Sequence, residues 1–145
     1  MHVIKHTIQL RVRYGETDQM GTFYNARALD WFECGRSELM RSHFAISYAD
    51  LEDRGVFLPL VEAHMEYLDG ARYDTLLNIA STAYFLGRAR LKFDVLITNA
   101  ETGKPVVSGY TVHAFTNKEA RPIRPPTLFV EMFERAAQNM DSASV

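Results

Sequence analysis

With a single cysteine, Cys34, in 145 residues, the chain can form no internal disulfide, which excludes a disulfide-stapled scaffold. A reducing compartment suits such a protein. Long hydrophobic runs are missing too: no stretch approaches the roughly 18 apolar residues of a membrane-spanning helix. The opening "MHVIKHTIQLRVRY" alternates polar and apolar residues where a secretory leader carries an unbroken apolar core. The expectation is a soluble, cytoplasmic protein without a membrane span. Excess positive charge is lacking as well. Sixteen Lys and Arg face eighteen Asp and Glu, a formal net charge of −2. Non-specific nucleic-acid binding, which needs cations to displace counterions from phosphates, is thereby excluded as a function class; a local basic patch for a small phosphorylated ligand is not. There is no internal repeat and no low-complexity segment. Gly15 and Gly21 fit neither G-x-G-x-x-G nor a P-loop, and no G-x-S-x-G elbow occurs. What is present is the balance of a globular protein, 47% hydrophobic and 23% charged. The length suits one domain, residues 1–145, with a sizeable core.

Periodicity divides the chain into elements. "TIQLRVRY" (7–14) alternates Ile8, Leu10, Val12 and Tyr14 with Gln9, Arg11 and Arg13, which predicts a half-buried strand. From about Asn25 to Phe44 the pattern becomes helical: Leu29, Phe32, Leu39 and Met40 form a stripe, with Gly35 or Arg36 between them, while Arg27, Asp30, Glu38 and Arg41 lie off it. Asn25 is the expected N-cap. A short helix over 48–54 ends at Gly55. Strands follow over 56–68, 75–86, 89–98 and 105–117, separated by turn signals at Asp69-Gly70, Gly87 and "NAETGKP". "RPIRPP" (121–126) interrupts regular structure before a helix over 127–140. Strands segregated from helices predict an α+β fold, an antiparallel sheet around one long helix. A sheet face or edge left uncovered would favour self-association.

Few side chains are placed for chemistry. Cys34 lacks a histidine partner motif and is assigned to packing. His2 and His6 have a helical metal-ligand spacing but lie in a terminus and a strand, and His64 with Glu66 makes only a pair; no metal is expected. Asp18 is different. It occupies a turn between strand and helix, beside Gly21, which permits close backbone approach. Seven residues later the predicted helix begins, and its unpaired N–H groups suit an anion or a polarised carbonyl oxygen. A carboxylate facing such an N-terminus can perform acyl transfer. Equally, Asp18 and Thr17 can simply close the turn, as Asx residues do. Spacing leaves both readings open.

"RYGETDQMGTFYNARALDWFECGRSELMR" (13–41) resembles the signature region of hotdog-fold acyl-CoA thioesterases of the 4-hydroxybenzoyl-CoA thioesterase family. Within that family it is most similar to the bacterial subgroup that includes the Tol-Pal-associated member. The matching residues are Tyr14, Glu16-Thr17-Asp18, Gly21, Tyr24-Asn25 and the segment Glu33 to Arg36. "LPLVEAHMEYLDGARYDTLLNI" (58–79) and "GRARLKFDV" (87–95) are similar to two further family segments, so the resemblance runs from Gln9 to Phe115. It implies a hotdog fold that hydrolyses acyl-CoA, with Asp18 as nucleophile or general base. It also implies that the backbone N–H at Asn25 polarises the thioester carbonyl, Tyr24 shapes the channel and Gly21 admits the substrate. Arg72, Arg88 and Arg90 are the candidates for the coenzyme A phosphates. Tyr73, Asp74 and Glu62 receive structural roles, and Glu16 a turn or supporting role. No cofactor is implied beyond the coenzyme A of the substrate, and the assembly implied is a homodimer or homotetramer. Three departures are visible: Asn25 where many members carry His, Ala89 where Ser is usual, and Gly70 where Pro is common. The alternatives are an acyl-carrier-protein thioesterase, a non-catalytic acyl-ligand binder and, more distantly, a dehydratase, whose histidine motif is not found.

Overall fold

Ile4, His6, Ile8 and Leu10 turn toward the interior while Lys5, Thr7, Gln9 and Arg11 face solvent, and this period of two makes Ile4–Arg11 the first strand, β1. The computed structural model describes residues 2–44 and 46–143. β1 begins three residues before the expected start and stops at Arg11. Val12 stays buried, but a 3₁₀ turn over Tyr14–Glu16 redirects the chain and leaves Tyr14 78% exposed, outside the core position expected for it.

Helix α1, Arg27–Phe44, buries Ala28, Trp31, Phe32, Gly35, Leu39, Met40 and Phe44. The predicted Phe32, Leu39 and Met40 lie on this stripe with Gly35 between them, and only Leu29 departs from it. Leu29 is exposed, because the roughly 100° rotation per residue that buries Ala28 carries its neighbour off the face. Cys34 is also exposed and does no packing, a correction to its assignment. Gly35 marks the closest approach of helix and sheet: a Cβ there would lie 2.7 Å from Ser81 Oγ and 2.9 Å from Ile79 Cγ2. Helix α2, Tyr48–Asp53, starts from a capping box in which Ser47 Oγ accepts from the Asp50 amide and Asp50 Oδ2 from the Ser47 amide, each at 3.1 Å.

The remaining strands are β2 (Leu60–Tyr67), β3 (Leu76–Leu86), β4 (Arg90–Asn99) and β5 (Pro105–Ala114), and helix α3 runs over Thr127–Ala143. All strand pairs are antiparallel, in the order β1-β3-β4-β5-β2. The five-stranded sheet wraps α1, the predicted architecture. One core cluster, with Trp31, Phe32, Leu77, Ile79, Ile97 and Val107, lies under the first half of α1. A second gathers Leu39, Met40, Phe44, Leu91, Phe93 and Phe115 with Phe129 and Phe133 of α3. His113 is buried in this second region. Its Nδ1 lies 3.0 Å from the Leu58 carbonyl and its Nε2 3.0 Å from Thr111 Oγ1. Burial pushes its pKa down to about 4, so the neutral ring donates from Nδ1 and accepts at Nε2.

The two sheet edges differ. Along β1, the Lys5 amide donates to Met140 Sδ of α3 at 3.0 Å. β2 is exposed along nearly its whole length, Leu60, Val61, Ala63 and Tyr67 included. No helix among the described residues is long and apolar enough to cross a membrane.

Candidate active site

After the 3₁₀ turn the chain makes a tight loop closed by an antiparallel bridge between Thr17 and Phe23. The Asp18 amide donates to the Thr22 carbonyl at 2.8 Å, and the Asp18 carbonyl accepts the Gly21 amide at 3.1 Å. Gly21 has φ of +83°, a left-handed conformation costly for any residue with a Cβ. Asp18 Oδ1 accepts the Met20 amide at 2.9 Å, so this residue does close the turn in the Asx manner. That bond occupies only one oxygen. Among the described residues Oδ2 has no partner, and the half-buried carboxylate lines an open cleft of about 830 Å³. Closing the turn and presenting a free oxygen are compatible, and the turn bond fixes the carboxylate's direction.

Glu16, two residues earlier, is only 5% exposed and fully engaged. Its Oε1 accepts the Arg13 amide at 2.7 Å, and its Oε2 accepts Trp31 Nε1 at 2.9 Å and Arg13 Nη2 at 3.4 Å. Burial pushes its pKa up, but the bonds from the Arg13 amide, Trp31 and the Arg13 guanidinium together hold it below the usual carboxylate range. The Glu16 carbonyl accepts the Tyr24 amide at 2.8 Å. Glu16 therefore ties the acidic turn to α1 at two points, through Trp31 and through the lead-in. Its supporting role was readable from the sequence; the Trp31 partner, fifteen positions on, was not, because no local periodicity joins the two.

The lead-in to α1 differs from the expected cap. The helix begins at Arg27, two residues after Asn25, and the Asn25 side chain has no partner among the described residues. Instead, the Asn25 carbonyl accepts the Ala28 amide at 3.3 Å and the Tyr67 hydroxyl at 2.8 Å. The Asn25 N–H finds no acceptor among the described residues. Tyr24 beside it is 54% exposed.

Asp18, Gly21 and Arg72 share the cleft. Tyr24 and Asn25 lie outside its lining, beyond the Thr17–Phe23 bridge. Arg88 lies in the turn between β3 and β4 and Arg90 opens β4, whereas Arg72 precedes the start of β3. Eleven residues of strand, roughly 35 Å at 3.3 Å each, separate those ends within one chain. Tyr14 and Tyr73 also line the cleft, their rings edge-to-face with centroids 5.7 Å apart. The sequence had marked Tyr73 as structural; at 59% exposure it is a surface residue of the site. Among the described residues no three His, Cys, Asp or Glu side chains gather as metal ligands. His6 Nδ1 meets His43 Nε2 at 3.3 Å, away from the cleft.

The sequence model of the thioesterase-like superfamily matches residues 12–138. YneP of Bacillus subtilis is 42% identical over 73 residues, 50% of this chain and 51% of the relative, so the chain's match spans about half the length of that protein. The acyl-CoA thioester hydrolase YbgC of Escherichia coli O157:H7 is 32% identical over 92 residues, covering 63% of this chain and 68% of the relative. Among solved structures, the DHNA-CoA thioesterase of Staphylococcus aureus superposes with a TM-score of 0.81 at 25% identity, covering 97% of this chain and 93% of that one.

Proposed function

Because the chain belongs to the thioesterase-like superfamily and has its hotdog fold, we propose that it is an acyl-CoA thioesterase, releasing a carboxylic acid and coenzyme A. The observation that carries this reading is Asp18. One of its oxygens is fixed by the Met20 amide, the other has no partner among the described residues, and the residue lines the cleft. The names of YbgC and the Staphylococcus aureus protein support the acyl-CoA class. The motif residues Tyr14, Glu16 to Asp18, Gly21 and Tyr24-Asn25 support placement beside the 4-hydroxybenzoyl-CoA and Tol-Pal-associated branch. The protein works in this reading where acyl-CoA is found, in the cytoplasm.

The chemistry needs positioning, a base or nucleophile, and a donor for the developing oxyanion. As general base, Asp18 Oδ2 takes a proton from water while the water oxygen attacks the thioester carbonyl carbon. The carbonyl electrons move onto oxygen, toward the unpaired Asn25 N–H at the positive end of α1. Collapse breaks the C–S bond, and the thiolate recovers the proton from Asp18. As nucleophile, the same oxygen attacks the carbon and the C–S bond breaks, leaving a mixed anhydride and the coenzyme A thiolate. Water then hydrolyses the anhydride to the acid, released as its carboxylate, and the Asp18 carboxylate, one of its protons passing to the thiolate and the other to solvent. Tyr24 borders the donor and Gly21 keeps the loop clear of the substrate.

Assembly belongs to this reading. β2 presents an unpaired edge with Val61, Ala63 and Tyr67 exposed, and pairing with the β2 of a second copy would satisfy its backbone and cover those side chains. A homodimer, or a dimer of dimers, follows. If Arg88 and Arg90 serve the substrate, the distance along β3 requires that they serve the site of another copy. A thiol-release assay over short, long and aromatic acyl-CoAs tests the activity. Release above the uncatalysed rate for at least one class is expected, and none for any class contradicts the proposal.

A further inference from the structure

Away from the cleft, two histidines that the proposed chemistry does not use face each other. His6 turns inward from β1, and His43 stands in the last turn of α1, 37 positions on. Both are half-buried. His6 Nδ1 and His43 Nε2 are 3.3 Å apart, and the rings are nearly perpendicular, at 83°, with centroids 5.2 Å apart. Two imidazole nitrogens bound to one tetrahedral zinc ion, each about 2.0–2.1 Å from it, stand about 3.3–3.4 Å from each other. The centroids are closer than those of two rings aimed straight at each other across this gap. At least one ring is therefore turned off the line between the nitrogens, as shared coordination requires. The remaining nitrogen of His6, Nε2, has Ser42 Oγ 3.5 Å away, an acceptor of the kind that sets the tautomer of a ligating histidine. Burial, and then the facing His6, push the pKa of His43 down, which favours the neutral ring that binds metal. Arg135, which lines a cavity with His43, is not a cause of that shift.

We infer that His6 and His43 form a binding site for a zinc-class divalent metal ion, one ion per chain, which ties β1 to the end of α1. Two imidazoles supply half of a tetrahedral shell and water completes it, so the ion exchanges where a closed cage of four protein ligands would hold it. The donor set selects by chemistry: neutral ring nitrogens suit zinc, nickel or copper, whereas magnesium and calcium take oxygen. A hydrogen bond between the two rings would make the same 3.3 Å contact without a metal, and it confers no affinity for zinc. The site stands apart from the thioesterase reading, and its test uses no substrate.

Titration calorimetry of the tag-free protein with zinc chloride, and separately with magnesium chloride, tests the inference. Wild type should bind one zinc ion per chain and no magnesium at the same concentrations. His6→Ala and His43→Ala should each weaken zinc binding by at least about tenfold, since each removes one of the two protein ligands. His64→Ala, which removes the exposed histidine 3.4 Å from Glu66 on β2, should leave zinc binding unchanged. Zinc at about a hundred times its Kd should raise the melting temperature of wild type by about 5–10 °C, and that of the His6 and His43 variants far less. Melting without metal confirms that each variant is folded, and His43→Gln replaces His43→Ala if the smaller side chain prevents folding. Wild type that binds no zinc, zinc affinity unchanged by His6→Ala and by the His43 variant, or affinity lost in His64→Ala instead would overturn the inference.

Discussion

The two carboxylates of the acidic turn are two residues apart and have opposite environments. Glu16 is buried and accepts three bonds; Asp18 is half-buried and has an oxygen to spare. A saturated, buried acid holds structure, and an unsaturated one facing a cleft can react. Glu16→Gln removes the charge from a site built for it and should cost about 2 kcal/mol at pH 7 in urea denaturation. The folded-state pKa of Glu16 is depressed, so its stabilisation is fully present above the unfolded value of 4.5 and fades as pH falls through the folded one. The gap between wild type and Glu16→Gln should therefore narrow as the pH drops below 4.5. A gap independent of pH would contradict the charge-based account. The candidacy of Asp18 was legible from its place before a helix, but its Asx bond and its free oxygen depend on the loop path, which spacing alone does not determine.

At the scale of elements, α1 lies on β3 with little clearance, and Gly35 is where they meet. Gly35→Ala would bring a Cβ within 3 Å of both Ser81 and Ile79, an overpacking that should cost about 1–3 kcal/mol despite alanine's better helix propensity. Stability equal to or above wild type would show that the contact relaxes freely. The five strands and three helices among the described residues were legible, some from a period of two or of 3.6 and others from apolar, β-forming runs bounded by turn signals. Their ends were not. β1 stops at Arg11, where the 3₁₀ turn takes over, and α1 starts at Arg27, after lead-in bonds made by carbonyls that side-chain identity does not report. Leu29 was placed on the stripe by its three-residue spacing to Phe32, but in the first turns of the helix that face is taken by Ala28 and Trp31.

For the whole molecule, the sheet has one edge guarded by α3 and one left bare. The bare β2 edge and its exposed apolar side chains predict a homodimer or a multiple of it at micromolar concentration by light scattering. Ala63→Lys, which sets a charge in the middle of that edge, should shift the protein toward monomer. A strictly monomeric wild type would contradict the assembly. Self-association was expected from the sequence as a general consequence of an uncovered sheet. Which edge stays open could be read only from the strand order, since β2, the second strand in the chain, lies at the far side of the sheet beyond β5.

The proposed hydrolysis depends on the free oxygen of Asp18, and thiol release from an acyl-CoA turned over by the wild type is the measurement that tests it. Asp18→Asn keeps an oxygen for the Met20 amide and so preserves the loop, while removing the basic and nucleophilic carboxylate. In Asp18→Asn, kcat should fall about 100- to 10,000-fold with an unchanged melting temperature. Wild-type kcat in a folded Asp18→Asn protein would contradict it.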